Sequence, residues 1–193
     1  SHTLDLVVGQ DAAKTRLRED AELMSRGRLD SVPMGYLLCG PVGTGKTFLA
    51  ECYAGSVGIP CVKLRNFRSK YVGETEGNLE QVLTVLRSLG PVAVIIDEAD
   101  AALGNRDQGG MDTGVSERVF AQLAAFMGAT RRRGQVTWFL MTSRPDLVPV
   151  DLKRQGRAEE HIALFPPATL GERVQVFEAL RRRLKIPLEP GTD

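Results

Sequence analysis

Residues 40–47 read Gly-Pro-Val-Gly-Thr-Gly-Lys-Thr and fill every fixed position of the pattern G-x-x-x-x-G-K-[ST]. Without a Cβ, Gly40, Gly43 and Gly45 let the backbone turn its N–H groups inward and approach an anion closely. Lys46 adds a point charge for terminal phosphates, and the Thr47 hydroxyl is a hard oxygen ligand suited to Mg²⁺. The apolar run Tyr36-Leu37-Leu38-Cys39 precedes the loop, and the helix-forming stretch Phe48–Ala54 follows it. Strand, loop and helix in that order aim a helix N-terminus at the anion. A chance glycine-rich turn is the competing reading, and it leaves both flanks unexplained. The octapeptide thus predicts a cradle for a nucleoside triphosphate, with Pro41, Val42, Gly43, Thr44, Gly45, Lys46, Thr47 and Phe48 as its contacts.

The remaining pattern alternates strands and helices. Asp11–Arg26 reads as a surface helix, and Pro60–Leu64 as a short strand. Leu79, Val82, Leu83 and Leu86 recur at helical spacing before Gly90-Pro91. Val92–Ile96 is a continuous β-branched run, the mark of a strand buried on both faces. A Gly- and charge-rich loop, 103–112, leads to a helix with Val115, Val119, Leu123 and Phe126 on one face. Val136–Met141 and His161–Phe165 read as two more strands. Thr169 and Glu172 form a capping box for a last helix striped by Val174, Phe177, Leu180 and Leu184. Alternating strands and helices predict an α/β fold, a parallel sheet with helices on both faces and ligands at the strands' carboxyl ends. We expect residues 1–166 to form that unit and 167–193 to begin a second, truncated helical subdomain.

Composition narrows the function. The 193 residues carry a formal net charge of +1, which gives no global pull toward nucleic acid or a membrane surface. No apolar stretch is long enough to span a bilayer. Cys39, Cys52 and Cys61 sit in apolar surroundings and read as reduced core thiols of a cytoplasmic protein rather than metal ligands. The runs Arg131–Arg133 and Arg181–Arg183 read as solvated surface, the first in a loop before a strand, the second on the outer face of the last helix, toward a neighbouring subunit.

Asp97 and Glu98 end the most hydrophobic strand. A carboxylate at that tip can hold a Mg²⁺ shell, the role assigned to Asp97. A second acid beside it can polarise an attacking water, the role assigned to Glu98. Asp100 reads as a structural or capping acid.

At this point the chain resembles the AAA clade of the AAA+ ATPases, ring-forming protein remodellers, over nearly its whole length. Gly40–Thr47 matches the family's Walker A motif and Val92–Glu98 its Walker B motif. Ser69-Lys70-Tyr71-Val72-Gly73-Glu74-Thr75-Glu76 is close to SKYVGESE, Ser143-Arg144-Pro145-Asp146 falls on N-R-P-D, and Arg154-Gln155-Gly156-Arg157 on R-P-G-R. The resemblance implies a P-loop NTPase fold, a three-layer αβα sandwich with five parallel strands in the order 5-1-4-3-2 and the start of a helical lid. It implies ATP or ADP with Mg²⁺ as ligands, and a homo-oligomeric ring, usually of six subunits, promoted by ATP. It also implies a protein substrate or adaptor, with neither nucleic acid nor membrane as partner.

The resemblance also distributes roles. Val8 and Gly9 fall where the family contacts adenine. Arg154 and Arg157 fall where one subunit completes its neighbour's site; a guanidinium answering charge on the γ-phosphate is worth about 10³–10⁵ in rate. Pairing of these arginines with Glu159 or Glu160 is the local alternative. Lys70, Tyr71, Val72 and Gly73 fall on the loop facing the central pore, where an exposed aromatic grips a polypeptide without sequence preference; a tyrosine buried under a loop is the alternative. Ser143 replaces the family's asparagine near the attacking water, and its hydroxyl lacks an amide's reach. This substitution implies slower hydrolysis, and a nucleotide-gated switch or scaffold is the second functional expectation.

Overall fold

The computed structural model describes residues 2–65, 76–104 and 113–185. Five strands form one sheet: β1 (Gly35–Cys39), β2 (Cys61–Lys63), β3 (Val92–Ile96), β4 (Val136–Thr142) and β5 (Glu160–Ala163). All pairings are parallel, and the order is β2-β3-β4-β1-β5. This is the expected 5-1-4-3-2 arrangement seen from the other edge. β3 and β4 are buried along their full lengths, as continuous apolar runs require when helices cover both faces.

Alternation along the strands divides the core in two. On one face, Tyr36, Leu38, Ala93, Ile95, Phe139 and Met141 pack against α1 (Asp11–Ser25) and α2 (Lys46–Val57). The Tyr36 and Phe139 rings stack there at 4.9 Å, with Tyr53 of α2 beside them. On the other face, Leu37, Val94, Ile96, Trp138 and Leu140 meet α3 (Glu76–Ser88), α4 (Ala99–Leu103) and α5 (Thr113–Met127). Leu79, Leu83 and Leu86 lie on the buried face of α3, and Val119, Leu123 and Phe126 on that of α5, as their helical spacing predicts.

One polar cluster crosses the first core. Asp20 of α1 is almost fully buried. It accepts a 2.6 Å hydrogen bond from the Tyr36 hydroxyl and a 3.2 Å bond from Arg16, whose other arm reaches Glu160 of β5 at 3.0 Å. The buried carboxylate is satisfied by two donors, the condition under which burial is tolerated.

A short helix, α6 (Val150–Lys153), precedes β5, and α7 (Leu170–Leu184) follows it. The capping box of α7 forms: the Thr169 hydroxyl accepts from the Glu172 N–H, and the Glu172 carboxylate accepts from the Thr169 N–H. The stripe of Val174, Phe177, Leu180 and Leu184 is exposed along this helix.

Candidate active site

The carboxyl ends of β1, β3 and β4 open onto one cleft of about 590 Å³. Its floor is the loop after β1. Gly45 caps α2 with a φ of 85°, a left-handed conformation that glycine adopts without penalty. Gly40 is needed for a different reason, because a Cβ there would lie 2.7 Å from the carbonyl oxygen of Leu164 beyond β5. The loop therefore packs against the chain at Leu164, while the N-terminal turn of α2 lines the cleft through Lys46, Thr47 and Phe48. Lys46 Nζ donates to the carbonyls of Gly40 at 2.6 Å and Pro41 at 3.0 Å, and the Thr44 hydroxyl donates to Pro41 at 2.8 Å. Val42, Gly43, Gly45, Lys46, Thr47 and Phe48 all line the cleft.

Asp97 and Glu98 reach it from the tip of β3. An Asp97 oxygen accepts from the Glu98 N–H at 2.8 Å. Glu98 has a φ of 48° and a ψ of 49°, a left-handed conformation that is costly for a residue with a Cβ. Strain of this kind is held in place by surrounding structure. Here β3 continues buried up to Ile96 and α4 starts at Ala99, itself fully buried. The kink presents the two consecutive acids at the cleft.

Ser143 arrives from the tip of β4. Its neighbour Thr142, buried, donates to Asp100 Oδ1 at 2.8 Å and accepts from the Arg144 N–H at 2.9 Å. Asp100 thus has a structural task, tying α4 to β4, and does not cap α4. Asp100 and Thr142 also line the cleft, as do Glu51 and Lys63, which form a 2.6 Å ion pair between α2 and the end of β2. Sequence reasoning missed these partners; the one available signal is that Glu51 follows Thr47 by one helical turn.

Oxygen donors suit magnesium here. The Thr47 hydroxyl and the Asp97 carboxylate face one cleft, and magnesium takes one or two protein oxygens and completes its shell with phosphates and water. Among the described residues no group of three or more His, Cys, Asp or Glu side chains could hold a metal. The thiols stay protonated: burial raises Cys39 and Cys61, and pushes Cys52 up to about 11 with help from Glu51. None is poised as a nucleophile.

Val8 and Gly9 are not among the cleft-lining residues; the next residue, Gln10, exchanges two hydrogen bonds with the Phe165 backbone, at 2.6 and 3.0 Å. Arg154 pairs with Asp151 at 3.4 Å, and Arg157 donates to the Asp151 carbonyl at 2.7 Å. Neither guanidinium pairs with the Glu159 carboxylate, which is held by Arg133 and the Met34 and Gly156 N–H groups, although the Arg157 carbonyl accepts from the Glu159 N–H at 2.8 Å; the Glu160 carboxylate binds Arg16. Lys70, Tyr71, Val72 and Gly73 lie outside the described residues. Of the arginine run in α7, Arg183 faces the cleft, contrary to the expected outward position.

Comparison with known proteins finds a matching family model and many relatives, three of which follow. The model of the ATPase family associated with various cellular activities (AAA) matches residues 36–165. Protein SAV of Sulfolobus acidocaldarius is 34% identical over 91% of this chain and 23% of its own length. The cell division cycle protein 48 homolog of Archaeoglobus fulgidus is 34% identical over 83% of this chain and 22% of its own. The mitochondrial ATP-dependent zinc metalloprotease FTSH 3 of Oryza sativa is 32% identical over 95% of this chain and 24% of its own. The chain thus spans about a quarter of the length of these relatives. No described helix is long and apolar enough to cross a membrane.

Proposed function

This chain belongs to the AAA family of ATPases, and from that premise we propose that it is the ATP-binding and ATP-hydrolysing unit of a ring-forming protein remodeller. The observation that carries the reading is convergence: a phosphate loop, two consecutive acids and Ser143 end three adjacent strands at one cleft. Residues 1–166 act as the nucleotide-binding unit, and 167–193 begin the lid. The backbone from Pro41 to Phe48 cradles the phosphates of MgATP, and Lys46 exchanges its two loop carbonyls for β- and γ-phosphate oxygens. Thr47 and Asp97 would hold a magnesium ion, which would supply charge neutralisation at the phosphates. The Glu98 carboxylate orients water in line with the γ-phosphorus and takes its proton. Val8 and Gly9 flank the adenine.

Arg154 and Arg157 serve the next subunit's site. Both lie on the turn after α6, Arg154 exposed and Arg157 partly buried, and the Arg154–Asp151 pair is one that solvent competes with. A homo-oligomer, six protomers in the simplest ring, follows from that division of labour. Tyr71, with Lys70, Val72 and Gly73, contacts a protein substrate in the pore. This reading rests on the sequence of that segment and on relatives whose names include an ATP-dependent protease. The free thiols suit a reducing compartment, in the first instance the cytoplasm. A second reading, a nucleotide-gated switch with slow turnover, is favoured by Ser143 alone.

Calorimetry with MgATP and Glu98→Gln separate these readings. The motor reading expects tight MgATP binding in both proteins, turnover lost by about 10²–10⁴-fold in the variant, and wild-type turnover per protomer that rises with concentration. Turnover that is flat across dilution and indifferent to Glu98→Gln would overturn it in favour of the switch. Absence of MgATP binding would overturn both.

A further inference from the structure

Arg131, Arg132 and Arg133 sit at the amino end of β4, in and just after a tight turn, Thr130–Arg132, that follows α5. The backbone fixes that turn. The Arg132 N–H donates to the Ala129 carbonyl at 2.9 Å, and the Gln135 N–H donates to the Arg132 carbonyl at 2.8 Å. Only Arg131 is exposed; Arg132 and Arg133 are partly buried, unlike the solvated run expected from the sequence. The guanidinium carbon of Arg132 lies 4.6 Å from the centre of the Phe126 ring, and that of Arg87, in the last turn of α3, lies 5.3 Å from it. Both distances are within cation–π range. Phe126 meets Trp138 edge-on at 6.0 Å, so two cations share one ring at the rim of the second core.

The charge of this cluster is only half answered. Glu159 holds Arg133 at 3.1 Å, and Glu80 holds Arg87 at 3.0 Å. Glu80 binds a single nitrogen of Arg87, which leaves that guanidinium donors to spare. The Arg131 and Arg132 side chains form no hydrogen bond or ion pair among the described residues, and Arg132 Nε is buried without an acceptor. A buried donor left without an acceptor is rare enough to require a cause. Desolvation, and then the charges of Arg131 and Arg87, lower the Arg132 pKa below its ordinary value. A helix C-terminus favours a cation in its last turn, which accounts for Arg87. It does not account for Arg131 and Arg132, whose side chains bond no carbonyl.

We propose that Arg87, Arg131 and Arg132 form a docking surface for an acidic segment of a partner protein, whose carboxylates pair with the three guanidiniums. Charge complementarity makes the ligand an anion, and two features make it a polypeptide. Val85 and Leu89, exposed on either side of Arg87 in the sequence, offer apolar contacts to neighbouring side chains. Phe126, the aromatic ring of the cluster, is buried and closed to base stacking, the contact a single-stranded nucleic acid needs. A net charge of +1 adds no long-range pull on a nucleic-acid backbone. The surface lies at the opposite end of β4 (Val136–Thr142) from the cleft, about 20 Å away at the rise of a strand. It does not depend on what the cleft holds.

The test is binding, by calorimetry, of a short polyglutamate peptide, inorganic phosphate and a short single-stranded oligothymidylate to this chain and to Arg131→Glu, Arg132→Lys and Arg173→Glu. Polyglutamate should bind the unaltered chain, less tightly as salt rises. Arg131→Glu should weaken it by about tenfold, the usual scale of a charge-assisted hydrogen bond. Arg132→Lys keeps the charge and loses the planar fork, and should weaken it by about threefold. Arg173→Glu makes the same change of charge at an exposed position of α7 and should stay within about twofold. The melting temperature and MgATP affinity of Arg131→Glu should match wild type, because its side chain is exposed, unpaired and remote from the cleft. Equal loss in Arg131→Glu and Arg173→Glu overturns the proposal, as does absence of polyglutamate binding. Phosphate that binds as tightly as the peptide shows a site for a free anion and overturns the protein partner. Oligothymidylate that binds more tightly than polyglutamate overturns it in favour of nucleic acid.

Discussion

The Thr142 hydroxyl donates to the Asp100 carboxylate at 2.8 Å, joining the tip of β4 to the first turn of α4 across 42 residues of sequence. The same oxygen accepts from the Arg144 N–H, so the turn holding Ser143 is clamped on both sides. Thr142→Val keeps the shape and removes both bonds. We expect a stability loss of about 1–3 kcal/mol from unpaired buried groups, measured by denaturant unfolding. We also expect ATP turnover to fall about tenfold with MgATP affinity unchanged, because the clamp positions the reacting edge rather than the phosphate cradle.

Glu98 holds a left-handed backbone that its side chain disfavours. Replacement by glycine removes the steric cost and replacement by glutamine keeps it. Glu98→Gly should therefore be more stable than Glu98→Gln by about 0.5–1 kcal/mol, and both should be inactive. Equal midpoints for the two variants in thermal melts would show that the conformation carries no strain.

Gly40 has no room for a methyl group, since a Cβ would meet the Leu164 carbonyl at 2.7 Å. Gly40→Ala should shift the loop away from β5, cost about 1–3 kcal/mol in stability, and weaken MgATP binding by more than tenfold. Calorimetry on the folded variant reads the second effect apart from the first.

Alkaline unfolding should report on the tyrosines of the first core. Burial, above all, raises Tyr53 to about 12 and pushes Tyr36 well above its ordinary value, with Asp20 adding to both. A raised phenol favours the folded state fully below the unfolded value near 10 and loses that advantage as pH climbs through the folded value. Stability should fall between pH 10 and 12, with Tyr53 alone accounting for about 2–3 kcal/mol. Tyr53→Phe should flatten that decline relative to wild type. The fluorescence of Trp138, the only tryptophan in the chain and almost fully buried, follows the transition.

The parts of the site that were legible in the sequence are local. Gly40–Thr47, Asp97 and Glu98 each occupy a continuous stretch whose flanks state its secondary structure. The buried runs Val92–Ile96 and Val136–Thr142 announce central strands for the same reason. Contacts that depend on how separate elements pack gave no such signal. Glu51 and Lys63 are ordinary surface residues by type until α2 and β2 bring them within 2.6 Å. Asp100 reads only as a structural or capping acid, without a named partner, until β4 places Thr142 beside it. The direction of Arg183 depends on the path of the chain after β5, which no periodicity in α7 encodes. The expected position of Val8 and Gly9 beside the ligand came from resemblance, and their own residues carry no chemistry that marks it.

The sheet order has a consequence for how the chain acquires its activity during synthesis. β1 is made first but lies between β4 and β5, the last two strands to be translated, and Gly40 rests against Leu164, more than 120 residues downstream. A ribosome must therefore release almost the entire domain before the phosphate loop has a wall to lean on. Until then the exposed edges of β1 are open to mispairing.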